Sequence, residues 1–72
     1  MGKKATKAAD NMYYLARSQA AEENPDFSSR EKAAEIIGID RTRLARIELD
    51  TIAPYPEEVK AMAEAYNMPE LC

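Results

Sequence analysis

Apolar residues recur three and four positions apart along most of this chain, and no segment has the single alternation of a half-buried strand. Four segments carry the helical spacing. The first runs from about Ala5 to Glu23, with Ala5, Ala8, Met12, Leu15, Ala16 and Gln19 falling on one face. Asn24-Pro25 stops it, because proline disfavours the helical conformation of the residue before it. The second is predicted over about Ser29 to Ile37, with Ser28 or Ser29 as N-cap and capping-box spacing in Ser28-Ser-Arg-Glu31. Gly38 ends it by taking the left-handed conformation that a side chain makes costly. Asp40 can cap the third helix, which continues to about Leu49 with Leu44 and Ile47 inward. The fourth opens near Pro56, a residue suited to a first turn, and points Val59, Met62, Ala63 and Tyr66 inward. A last turn starts at Pro69. The pattern predicts an all-α chain, a compact bundle of four to five helices.

Composition narrows the function more than the fold. A chain of 72 residues has room for one domain, taken here as 1–72, with residues 1–4 expected to be disordered. Thirteen of its hydrophobic residues are alanine, so the core must be thin. A domain of this size often has only about 3–5 kcal/mol of core stability to spare. Two glycines, four prolines and 32% charged residues are not the composition of a disordered or fibrous chain. No apolar run is long enough for a membrane helix, and the basic start Met1-Gly-Lys-Lys-Ala-Thr-Lys7 has no apolar stretch behind it to make a signal peptide. The lone cysteine, Cys72, cannot form an internal disulfide. These features lead to the expectation of a soluble, cytoplasmic protein.

The net charge of −3 argues against a generic polyanion binder, but its distribution changes that picture. Residues 1–27 balance four basic against four acidic groups, and residues 48–72 carry six acids against Lys60. Only residues 28–47 are net positive, through Arg30, Lys32, Arg41, Arg43 and Arg46. Within that basic segment two short helices flank the three-residue connection Gly38-Ile39-Asp40, the arrangement of a helix-turn-helix at about residues 29–49. Ala34 is small enough for the two helices to cross closely, Ile39 is placed to tuck beneath the turn, and Leu44 and Ile47 lock the later helix to the core. Arg41, Thr42, Arg43, Ala45 and Arg46 are left on its outer side. Arginine is poorly placed at a helix N-terminus, so something other than local helix stability selects Arg41 and Arg43.

The run Ser29-Arg-Glu-Lys-Ala-Ala-Glu-Ile-Ile-Gly-Ile-Asp-Arg-Thr-Arg-Leu-Ala-Arg-Ile-Glu48, with Pro54 and Glu57-Glu-Val59 after it, resembles the lambda-repressor/Cro-type (XRE-like) helix-turn-helix family. The likeness covers roughly residues 12–71, and the spacing Ala34, Gly38, Leu44, Ile47-Glu48 carries it. It implies a bundle of the lambda-repressor type whose third helix lies in the DNA major groove. Arg41, Thr42 and Arg46 match the family's base-contacting positions, and Arg43 is placed to reach a base edge or a phosphate. Arginine suits that role because its planar fork donates two hydrogen bonds to guanine. Arg30 stands where the family opens its second helix with a glutamine that touches phosphate, and the N-terminal amides around Ser29 add to that contact. Arg17 and Glu48 match a pair that the family joins between its first and third helices. Lys3, Lys4 and Lys7 are candidates for a basic arm along the DNA backbone.

Several positions depart from the family pattern. Alanine fills position 33 where leucine is usual, Asp40 replaces a serine or threonine cap, and Asp50 stands where glycine commonly ends the third helix. The segment from Arg17 to Ser29 is about six residues longer than usual and contains Glu22, Glu23 and Asp26. Where it points decides whether it repels DNA. Nothing after Leu71 supplies a full fifth helix, which many relatives use to dimerise, and some relatives continue beyond the position of Cys72, so the chain reads as shortened or as a short variant.

Other chemistries are weakly supported. The sequence has no histidine, no phosphate-binding glycine loop and no cysteine before the last residue, so neither an enzyme nor a metal or cofactor site is expected. Tyr66 is assigned to the core, while one of Tyr13 and Tyr14 should face outward as a candidate partner contact. The function expected is that of a bacterial transcriptional regulator, a repressor binding a pseudo-palindromic double-stranded operator as a homodimer. The rival is a helix-turn-helix module that binds a protein partner, such as an antitoxin or anti-regulator, which the acidic final third would suit.

Overall fold

The computed structural model describes residues 11–71, and these are helical with short connections. Helix α1 spans Met12–Glu23, α2 Arg30–Ile37, α3 Arg41–Glu48 and α4 Pro56–Ala65, with 3-10 turns at Pro25–Ser28 and Pro69–Leu71. The all-α class and the helix-turn-helix at 29–49 are thus as expected. Lys3, Lys4, Lys7, Ala5, Ala8 and Cys72 lie outside the described residues, as does the expected disorder of residues 1–4.

The first helix differs from the sequence reading in its start and in its face. Asn11 caps α1, its side-chain oxygen accepting from the Tyr13 and Tyr14 amides at 2.8 and 3.0 Å. A helix running unbroken from Ala5 is therefore corrected to one beginning at Met12. Met12, Leu15 and Gln19, expected inward, are exposed, and the buried side is Ala16, Arg17 and Ala20 with Tyr13 packed beside them. The ion pair described below turns Arg17 into the protein, which rotates the apolar pair Met12 and Leu15 outward.

The start of α2 differs from the expected capping as well. Ser29 caps α2, its hydroxyl accepting from the Lys32 amide at 3.3 Å. The Ser28–Glu31 capping box does not form, because Ser28 belongs to the preceding 3-10 turn and its hydroxyl donates to the Pro25 carbonyl at 2.7 Å. The extra residues between Arg17 and Ser29 extend α1 to Glu23 and build this turn, which carries Phe27 into the core. Phe27 meets Tyr66 edge to face at 5.3 Å between ring centres. Such a pair contributes about 0.5–1.5 kcal/mol beyond the area it buries.

Leu44, Ile47 and Met62 form the centre of the core, with Ala33 and Ala34 beneath them. Alanine at both positions leaves the α2 backbone free to approach α3 and α4 closely. Val59 is half-buried against this cluster, while Ala63 and Tyr66 are buried with Met62 as the periodicity predicts. Gly38 ends α2 at φ +93° and a β-carbon there would meet nothing within 4 Å, so backbone conformation alone demands glycine. Asp50, the residue in place of the usual glycine, takes φ 65° without one. The amides of Asp50 and Thr51 donate to the carbonyls of Ile47 and Arg46 at 3.2 and 3.0 Å, closing a left-handed helix end. Asn11 offsets the conformational cost, its Nδ2 donating to the Ile47 carbonyl at 2.9 Å and to Asp50 Oδ1 at 3.2 Å.

Candidate nucleic-acid interface

Two helix starts meet on one side of the bundle. The Ser29 cap opens α2 and the Asp40 cap opens α3, the latter accepting from the Thr42 and Arg43 amides at 2.9 and 3.2 Å. Ile39 is half-buried under the intervening turn. This geometry brings Ser29, Arg30, Arg41 and Thr42 together around one open cleft, with Glu31 and Ala45 completing its lining. Arg46 lies one helical turn beyond Thr42 on α3, and both side chains are exposed. Arg41 is exposed as well, with only a 4.0 Å approach of its Nη1 to Glu31. Arg41, Thr42 and Arg46 therefore present their donors to solvent from a rigid helix.

Two other candidate residues face inward or sideways. Arg43 forks onto Glu58, Nε bonding Oε2 and Nη2 bonding Oε1 at 2.9 Å, and its guanidinium lies 4.4 Å from the centre of the Tyr55 ring. The bond to Glu58 raises the pKa of Arg43 above its ordinary value, and the same bond, helped by the Tyr55 amide, lowers that of Glu58. Arg30 gives its Nε to Glu48 Oε1 at 3.0 Å, leaving the rest of its guanidinium at the cleft edge.

Glu48 is the anchor under this surface. Its side chain is fully buried and accepts from Arg17 Nε at 2.7 Å, Arg17 Nη2 at 2.9 Å and Arg30 Nε. Arg17 also donates Nη1 to the carbonyls of Phe27 and Ser28, at 3.0 and 3.4 Å. Burial alone would lower the pKa of Arg17, but the Glu48 bond and charge overcome it and the pKa rises. One carboxylate thus joins α1, α2 and α3 and fixes how the recognition-helix candidate sits.

The acidic residues of the long segment lie elsewhere. Glu22 and Glu23 line a second cleft with Asn67 and Met68 at the end of α4, which shares no residue with the α2–α3 cleft. Asp26 is 3.9 Å from Lys32 in a surface pair. Among the described residues no cluster of side chains could hold a metal ion, and no helix is long and apolar enough to cross a membrane.

Sequence reasoning missed Asn11, Phe27, Tyr55 and Glu58. Asn11 and Glu58 had a local signal, an asparagine before a helical run and an acid three residues after a helix cap. Phe27 had none, since a single aromatic in a turn has no periodicity to place it. The residues that build the α2–α3 cleft lie within residues 29–71, which match the sequence profile of the helix-turn-helix family. No curated protein and no solved structure matches the chain. The profile match spans more than half of the sequence, and the chain belongs to the lambda-repressor/Cro-type helix-turn-helix family, whose domain is a DNA-binding regulatory one.

Proposed function

We propose that the protein is a sequence-specific regulator of transcription, a repressor that binds a pseudo-palindromic operator as a homodimer in the bacterial cytoplasm. The observation that carries this reading is the display of Arg41, Thr42 and Arg46 on one side of α3, next to a cleft whose edge holds Ser29 and Arg30. In the major groove, Arg41 and Arg46 would fork onto guanine edges and Thr42 would meet an adjacent base. The Ser29 cap and the free part of Arg30 would meet a phosphate, which fixes register without reading sequence. The Arg17–Glu48 pair acts from beneath by holding α3 in position. Because Glu22 and Glu23 open on another cleft, their charge does not line this surface.

The test is fluorescence-anisotropy titration of a labelled random duplex at several salt concentrations, followed by operator selection from a random library. Micromolar binding that falls steeply with salt is expected. On the selected operator, Arg41→Ala and Arg46→Ala should each cost more than about 1 kcal/mol, with smaller losses on random DNA. Equal losses on both would remove the base-reading roles. Absence of binding at low salt would refute the DNA reading and favour the protein-binding module that the acidic final third suits.

A further inference from the structure

Three arginines lie on α3; Arg41 and Arg46 are exposed, while Arg43 is half-buried and held by Glu58. Arg43 sits in the first turn of the helix, where a cation is unfavourable to the helix dipole. Glu58 compensates for this from α4. Its carboxylate grips Nε and Nη2 of Arg43 and also accepts the Tyr55 amide at 2.7 Å, while the Tyr55 ring covers the guanidinium face. Glu58 is itself in the first turn of α4, where the dipole favours an acid. The Arg43 bonds and the Tyr55 amide outweigh the cost of partial burial and hold Glu58 in place, and Arg43 with it.

The clamp stands at the border of the α3 face. Arg43 is next to Thr42 and three residues before Arg46, so the two arginines are neighbours on the helix. The Arg43 side chain retains 29% exposure, and that of Glu58 12%. A guanidinium released there would be one more flexible cation at the edge of a surface that already carries Arg41 and Arg46. Phosphate contacts of that kind strengthen binding to every sequence alike.

We infer that Glu58 is a specificity-determining residue that acts through Arg43, withholding it from DNA phosphates and thereby suppressing binding to sequences without an operator. This rests on the DNA-binding reading above. Glu58 itself touches no DNA; it positions Arg43.

The test compares the full chain with Glu58→Gln, Arg43→Ala and the double variant on a labelled random-sequence duplex between 50 and 200 mM salt (roughly the range over which phosphate contacts are read). The glutamine side chain keeps an oxygen for the Tyr55 amide, and thermal melts by circular dichroism establish that each variant is folded. Glu58→Gln should raise affinity several-fold at the lowest salt and steepen the slope of log K against log salt by about 0.9, the value of one added phosphate contact. In the Arg43→Ala background the same substitution should leave the slope unchanged. An equal gain in both backgrounds would mean that only a negative charge was removed, and would overturn the inference. No change in either background would overturn it as well. Failure of the unsubstituted chain to bind the duplex at all would instead remove the DNA-binding reading, and this inference with it.

Discussion

Breaking the Arg17–Glu48 pair should nearly unfold the protein, although replacing both partners together should not. Glu48 has no exposed side-chain surface and accepts three hydrogen bonds, two of them from Arg17. Arg17→Met keeps most of the aliphatic stem but leaves that carboxylate with only Arg30. Removing one member of a buried pair costs about 3–5 kcal/mol, and the remaining Arg30 bond puts this variant near the lower end. Glu48→Met leaves the buried Arg17 cation facing two carbonyls without a counter-charge, nearer the upper end. A chain of this length has on the order of 4–11 kcal/mol of total stability, so either loss is a large fraction of it. The double variant removes both charges, and Arg30, a third exposed, can return to water. Its expected cost is about 2 kcal/mol or less, below that of either single change. Urea titrations followed by circular dichroism at low temperature, with trimethylamine N-oxide added to keep the singles folded, give the four stabilities. Single losses below about 1 kcal/mol, or a double loss equal to their sum, would refute the view that this pair is the tie among α1, α2 and α3.

Two further outcomes follow from buried or clamped groups. The Tyr66 hydroxyl is buried and finds no hydrogen-bond partner among the described residues, and burial raises its pKa, so Tyr66→Phe should stabilise the fold by about 1 kcal/mol; a lower urea midpoint for the variant would show that the hydroxyl is bonded. Glu58 has a folded pKa below its unfolded one, so its contribution is present above the ordinary carboxylate value of about 4.3 and is lost as pH falls through the lower folded value. Glu58→Gln should therefore lose less stability than the parent below about pH 4, and parallel acid-denaturation curves for the two would contradict the pairing.

What the sequence determined by itself was local. Gly38 at the end of α2, the Asp40 cap, Pro56 in a first turn and the inward spacing of Leu44, Ile47, Met62 and Tyr66 depend on contacts within a few residues, and each is where the pattern put it. The outward set Arg41, Thr42 and Arg46 follows from the same geometry, because fixing the buried side of an eight-residue helix fixes its exposed side. Tertiary structure decided what distant residues do to one another. Met12 and Leu15 look like core residues by spacing, but burying Arg17 against Glu48, 31 positions away, turns them to solvent. Phe27 enters the core only because a 3-10 turn places it against Tyr66. Arg43 differs from Arg41 and Arg46 only in having Glu58 and Tyr55 brought beside it by α4. On α3 periodicity tells which side is wet, because the buried charge of that helix, Glu48, falls on its apolar side; which charge is left free on the wet side depends on the partner that folding delivers.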